Sequence, residues 1–213
     1  MVILQYTDRR FVIYKPAVCC KGLIMPTQKE RTEATQTALL ATARALFLRH
    51  GYETTTTQMV LSETGLSKGA LYHHFKSKTD MMEAIYRAES KGAIDRAVSH
   101  VGYEPSPLAR LRAACLLWLK EVEDDDVSSI LFELGPAALG RRRAKEIEDQ
   151  FSMGLFLGLL KEASAAGEID LPSPELTARL LNAIMAEASI YARQTGEDST
   201  ETVAKALDSV LGR

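Results

Sequence analysis

The sequence predicts an all-α protein of about nine helices in two parts, an N-terminal three-helix helix-turn-helix unit and a larger C-terminal helical domain. Three observations carry this. Apolar residues recur every three or four positions through most of the 213 residues, the spacing that gives an amphipathic helix one buried face. Breaks fall where helices would stop, at Gly51, Gly65, Glu104-Pro105-Ser106-Pro107, Asp124-Asp125-Asp126, Gly135-Pro136, Gly167 and Gly196. No stretch alternates apolar and polar residues as a strand would, and no segment repeats.

Residues 1–26 stand apart. Their apolar pieces are short and broken by Asp8, Arg9, Arg10 and Lys15, so they form neither a signal peptide nor an anchor. They read as a disordered tail or as sequence upstream of a true start at Met25; a basic arm reaching into a minor groove is the alternative. Residues 27–78 then make the helix-turn-helix unit and residues 79–213 the second domain.

Within the first unit, Leu39, Leu40, Ala43, Leu46 and Phe47 put a helical stripe on a segment from Thr35 to His50, ended by Gly51. A short helix follows, capped by Thr56 and carrying Met59 and Val60 inward to Gly65, where a left-handed backbone can reverse the chain. Leu66 fills the angle. Ser67 caps the next helix, Lys68 to Phe75, whose Leu71 and Phe75 lie four apart on one face. Ser77 and Asp80 have capping-box spacing, with Asp in place of the usual Glu or Gln. They open a connecting helix with Met81, Met82, Ile85 and Tyr86 that continues to about Val101.

The second domain reads as five further helices. Leu108–Glu123 turns Leu111, Cys115, Trp118, Leu119 and Val122 inward, and Asp124-Asp125-Asp126 ends it as a solvated turn without the glycine of a calcium loop. A short helix from Val127 stops at Gly135-Pro136. Arg141-Arg142-Arg143 reads as a set of ion-pairing cations. A long helix from Ala144 to Ala166 carries Ile147, Phe151, Leu155 and Leu159. Ser173 caps a helix from Glu175 to Gln194, and Ser199 opens the last, with Val203, Leu207, Val210 and Leu211.

Composition narrows the chemistry. Hydrophobic content of 46% and charged content of 25% are those of a globular protein. No apolar run is long enough to cross a membrane; the longest, Met153–Leu160, is interrupted by Gly154 and Gly158. An odd count of cysteines (Cys19, Cys20, Cys115) without a secretory signal points to reduced thiols in a cytoplasm, and the Cys19-Cys20 pair has no third thiolate or histidine nearby to hold a metal. The net charge of −2 conceals an asymmetry: residues 1–80 hold 11 Lys and Arg against 6 Asp and Glu, and the remainder 15 against 22. A basic first part and an acidic second part fit a nucleic-acid-facing module joined to one that does not touch nucleic acid. An enzyme is disfavoured. Adjacent His73 and His74 point about 100° apart on a helix rather than forming a metal pair, no phosphate loop or nucleophile turn is present, and no carboxylate sits in an apolar sequence context that would raise its pKa. No cofactor or metal is expected.

The face of the Lys68 helix opposite Leu71 has the chemistry for duplex DNA. Lys68 stands at a helix N-terminus, where phosphate or a base edge would meet it. Gly69 and Ala70 let the backbone approach. Tyr72 and His73 reach phosphates, and Lys78 lies in the next first turn. The rival reading is an all-α interaction module with no DNA role, which leaves that face without a purpose.

The stretch G-Y-x-x-T-T at Gly51–Thr56, G-L-S-K-G-A-L-Y-H-H-F at Gly65–Phe75 and S-K at Ser77-Lys78 resembles the DNA-binding domain of TetR-family transcriptional regulators, over roughly Glu30 to Ile85. It departs at Val60-Leu61, where the family usually has isoleucine-alanine; a larger Leu61 would alter the angle between the two helices. The resemblance implies a homodimeric regulator, expected to be a repressor of a palindromic operator released by a small effector. It implies DNA contacts from Thr55, Thr56, Ser67, Lys68, Gly69, Ala70, Tyr72, His73 and Lys78. It also implies an effector-binding and dimerisation domain over 79–213, pairing with its partner through residues 175–194 and 199–211. Cys115, Trp118, Phe132, Phe151, Phe156, Asn182 and Met185 are the pocket candidates, being bulky, adaptable or polar among apolar neighbours, and they suit an apolar or aromatic effector.

Overall fold

The computed structural model describes residues 27–212, and the expectations for residues 1–26, Cys19 and Cys20 included, lie outside them. Helix α1 (Gln28–His50) starts earlier than its apolar stripe. Its first two turns are polar and exposed, and a capping box holds them: Thr27 Oγ1 accepts from the Glu30 amide at 3.2 Å while the Thr27 amide donates to Glu30 Oε2 at 2.6 Å. Hydrophobic periodicity marks only the buried half of such a helix.

Helices α2 (Thr57–Thr64) and α3 (Lys68–His74) are capped by Thr56 and Ser67, which accept from Met59 N and Ala70 N, both at 3.2 Å. Gly65 takes φ +66° between them, a backbone that a Cβ disfavours. At the start of α4 (Lys78–Ser99) Ser77 Oγ accepts from Asp80 N, but the shorter Asp80 side chain accepts from Lys76 N rather than closing a box on Ser77.

Helix α5 (Pro107–Glu121) leads to a turn in which Asp124 accepts from Val127 N at 3.0 Å. The helical run at residues 125–139 (α6) corrects an expectation, because it does not stop at Gly135-Pro136. It passes through a π turn at Ile130–Leu134 and continues as Gly135–Leu139. In the wider register the Gly135 amide reaches Ile130 O, and proline, which has no amide hydrogen, falls opposite Leu131 O. That carbonyl accepts instead from the Tyr86 hydroxyl of α4, at 3.3 Å.

Helices α7 (Arg141–Ala165), α8 (Pro174–Thr195) and α9 (Thr200–Val210) complete the chain. Ser199 makes no cap; Asp198 Oδ1 accepts from Thr200 N at 2.8 Å. The fold is all-α, with nine helices and no strand among the described residues. None of those helices is long and apolar enough to cross a membrane.

Two hydrophobic clusters organise the packing. The first joins α1–α4 to α6 and to Ala144 and Ile147 of α7, so it runs past residue 78 rather than closing there. The second joins α5, the C-terminal half of α7, α8 and α9, with Trp118 packed against both. Val203, Leu207 and Leu211 are buried in this second cluster. The apolar stripe expected at 199–211 to meet a partner is therefore used within the chain.

Candidate nucleic-acid interface and buried cavity

Leu71 and Phe75 root α3 in the first cluster. The helix period then places Lys68, Gly69, Tyr72 and His73 on its solvent side, and all four are exposed. Ala70 is half-buried at the edge of this face, and Thr56 and Ser67, both exposed, sit at the N-termini of α2 and α3. The Lys68 ammonium lies 5.8 Å from the centre of the Tyr72 ring, a cation-π contact that steadies a long side chain without hiding its charge. The surface thus combines a cation, a phenol, an imidazole and free first-turn amides.

Two expected contacts sit elsewhere. Thr55 is fully buried, and its hydroxyl lies 2.8 Å from Gly51 O and 3.1 Å from Leu46 O. It ties the α1–α2 turn to the end of α1 and is removed from the DNA face. Lys78 is half-buried: its Nζ donates to Tyr52 O at 2.7 Å and Glu53 O at 3.2 Å and stands 4.2 Å over the Tyr52 ring. Two of its three donors hold the same turn.

Charged groups lock this head to the rest. Arg44 of α1 reaches Glu89 of α4 at 2.6 Å and Asp126 of α6 at 3.1 Å. Arg143 pairs with Glu83 of α4 at 2.6 Å and Glu146 at 3.2 Å, and the Arg143 guanidinium holds the Glu83 carboxyl below its ordinary range. Two of the three arginines of the run are thus ion-paired, Arg142 lying 3.7 Å from Glu146.

A cavity opens where α4–α8 converge. Six of the seven pocket candidates line it: Cys115, Trp118, Phe132, Phe156, Asn182 and Met185. Phe151 does not; it packs half-buried against the first cluster. The lining encloses about 710 Å³ of free space, its mouth included. Burial pushes the Cys115 thiol up to about 12, so it behaves as a small apolar wall.

The sequence reading missed Ser90, Ile94 and Val98 of α4, and Glu148 and Ser152 of α7, all of which face this space. Glu148 overturns the expectation that no carboxyl sits in apolar surroundings. Burial raises its pKa above the ordinary range, against the opposing effects of the Tyr86 hydrogen bond and Lys145. Its sequence neighbours are Ile147 and Asp149, one apolar and one charged, and much of the apolar surroundings comes from other helices. Tyr86, raised in turn by burial and by Glu148, has one hydroxyl hydrogen and two acceptors, Glu148 and Leu131 O. That one hydrogen is shared between the two acceptors. No cluster of three or more metal-ligating side chains occurs among the described residues.

Residues 39–85 match the profile of bacterial regulatory proteins of the tetR family, and residues 108–213 match the tetracyclin repressor-like C-terminal domain. The HTH-type transcriptional repressor BepR of Brucella suis biovar 1 is 26% identical over 171 residues, 76% of this chain and 81% of BepR. A TetR-family transcriptional regulator from Pectobacterium atrosepticum superposes with a TM-score of 0.67 at 22% identity, covering 88% of this chain and 94% of its own. SmeT in complex with triclosan gives 0.63 at 24% identity, with 84% and 90% covered. At such identities these two structures speak for the fold.

Proposed function

The chain belongs to the TetR family of bacterial regulatory proteins and is a DNA-binding transcriptional regulator, and from that premise we propose that it is a cytoplasmic repressor. It acts as a homodimer on a palindromic operator and leaves it when a small apolar or aromatic effector enters the cavity. Residues 27–78 form the reading head, and the remainder binds the effector and the second copy. Regulators of this kind work by binding rather than by catalysis.

One observation carries this reading: α3 exposes Lys68, Gly69, Tyr72 and His73 while Leu71 and Phe75 are buried. Such a helix enters a major groove with its N-terminal residues on base edges, and a two-fold dimer sets two of them about 34–36 Å apart. Thr56, Ser67, Lys68, Gly69, Ala70, Tyr72 and His73 make the DNA contacts. Lys78 keeps the turn before α2 in place and has one donor left for phosphate.

The dimer surface is the outer face of α8. Leu176, Leu180 and Tyr191 are 56%, 47% and 45% exposed, and with Ala183 they form one row along the helix. Packed beside it, α7 exposes Gly154 and Gly158 with open space where a side chain would stand, room for a partner helix to come close. The interface therefore pairs α8 with α7 rather than with residues 199–211.

Release follows from α4, which carries Ser90, Ile94 and Val98 on the cavity wall and also packs against α1. An effector that fits only one tilt of α4 alters the spacing of the two α3 helices. About 1.4 kcal/mol of such preference lowers operator affinity tenfold. SmeT, whose complex holds triclosan, offers an aromatic precedent within the fold.

The decisive experiment is fluorescence anisotropy on duplexes from the DNA flanking this protein's coding region, in a salt series. Lys68→Ala should weaken binding about tenfold and lower the salt slope by about one, and Tyr72→Ala should weaken binding to all sequences alike. A Lys68→Ala/Tyr72→Ala protein with unchanged affinity would refute the placement of the DNA face.

A further inference from the structure

Polar groups on the cavity wall say more about the effector than its shape does. Ser90 lines the cavity, and its buried Oγ has no hydrogen-bond partner among the described residues. A buried hydroxyl left in this way is costly and rare. Two other polar side chains on the wall are partly engaged: Ser152 Oγ donates to Glu148 O at 3.0 Å, and Asn182 Nδ2 donates to Asp149 Oδ1 at 2.8 Å. Glu148 meets Tyr86 through Oε1 and has a second oxygen to offer.

Position brings Ser90 and Glu148 to the same part of the wall. Tyr86 and Ser90 are one turn apart on α4. The pairs Glu83–Arg143, Tyr86–Glu148 and Arg87–Gln150 advance along α4 and α7 in the same direction. Ser90 therefore comes level with Ser152, one turn beyond Glu148.

Resting on the reading of this cavity as the effector site, we infer that the effector is an apolar molecule carrying one hydrogen-bond donor, a hydroxyl or an amine, set between Ser90 Oγ and the Glu148 carboxyl, and that anionic effectors are excluded. The donor supplies the bond that Ser90 lacks. The apolar side chains of the wall receive the rest of the molecule. A carboxylate would be buried beside Glu148, with Asp149 adjacent, and two such groups cannot ionise together at close range without a large cost. Burial already holds Glu148 above the ordinary carboxyl range, so a further negative charge is least tolerated here. A donor on Glu148 also competes with Tyr86, which places the recognition event on α4.

Isothermal titration calorimetry of the full chain with 2-naphthol, 2-methylnaphthalene and 2-naphthoate tests this, with operator anisotropy measured in parallel. The hydroxyl compound should bind at least tenfold tighter than the methyl compound, and the carboxylate at least tenfold weaker than the hydroxyl. Ser90→Ala should shrink the hydroxyl preference several-fold. Glu148→Gln, which keeps an oxygen acceptor and loses the charge, should readmit 2-naphthoate. Equal affinities for the three compounds on the native protein would overturn the donor rule and leave the cavity standing as the effector site. The expected order without loss of operator binding would support the donor rule and overturn the effector reading. Absence of binding by all three, up to their solubility limits, would overturn both.

Discussion

Thr55 and Lys78 neighbour the DNA-facing helix in sequence and in space, yet each turns its polar atoms inward. Thr55 binds two carbonyls from a fully buried position. Thr55→Val keeps the shape and removes the donor, so chemical denaturation should show a loss of about 1–2 kcal/mol, with little direct effect on DNA contacts. Glu148 gives a pH signature. Its folded pKa lies above the ordinary 4.5. Below that value the carboxyl is protonated in both states and costs nothing. As pH rises from 4.5 to the raised folded value, the unfolded chain ionises first and stability falls; above it the loss is constant. Urea midpoints of Glu148→Gln should lack this decline, so the difference between variant and native protein should widen across that window. A constant difference would mean that Glu148 titrates normally.

At the level of elements, the junction between α4 and α6 is the most constrained. A Cβ placed on Gly135 would stand 2.1 Å from Tyr86 Cδ2 and 2.7 Å from Ile130 O, so a glycine is needed for close approach rather than for backbone freedom. Gly135→Ala should cost about 1–3 kcal/mol by overpacking, seen as a lowered denaturation midpoint. It should also move Tyr86 and alter effector affinity. The π turn that precedes Gly135 leaves Leu131 O to Tyr86. Proline, a helix stop by its chemistry, is thus absorbed inside a continuous run because a hydroxyl from another helix supplies the missing donor.

Across the whole molecule, the reading head and the cavity share material. One cluster includes Leu39, Val60, Leu71, Tyr86, Ile130 and Ile147, and Arg44 ties α1 to both α4 and α6. Motion of α4 therefore carries the head with it, which supports the proposed release by an effector. The proposed mechanism also requires a second copy. Leu176→Glu/Leu180→Glu places two charges on the exposed row of α8 and should yield a monomer by light scattering at micromolar concentration, with operator affinity reduced at least a hundredfold. A dimer that survives both changes would move the interface elsewhere.

Residue order by itself determined the helical class, the α2–α3 turn with its caps, and the amphipathic stripes, because propensity, capping and 3.6-residue periodicity are local. It also separated Leu71 and Phe75 from the exposed row of α3, since one lies on that short helix and the other caps its end. Tertiary packing decided what Thr55 and Lys78 bond, why the chain passes through Pro136, and where the apolar residues of α9 go. It alone created the environment of Ser90 and Glu148. Burial is a property of what other helices bring to a side chain, and neither Glu148 nor Ser90 has neighbours in sequence that announce it.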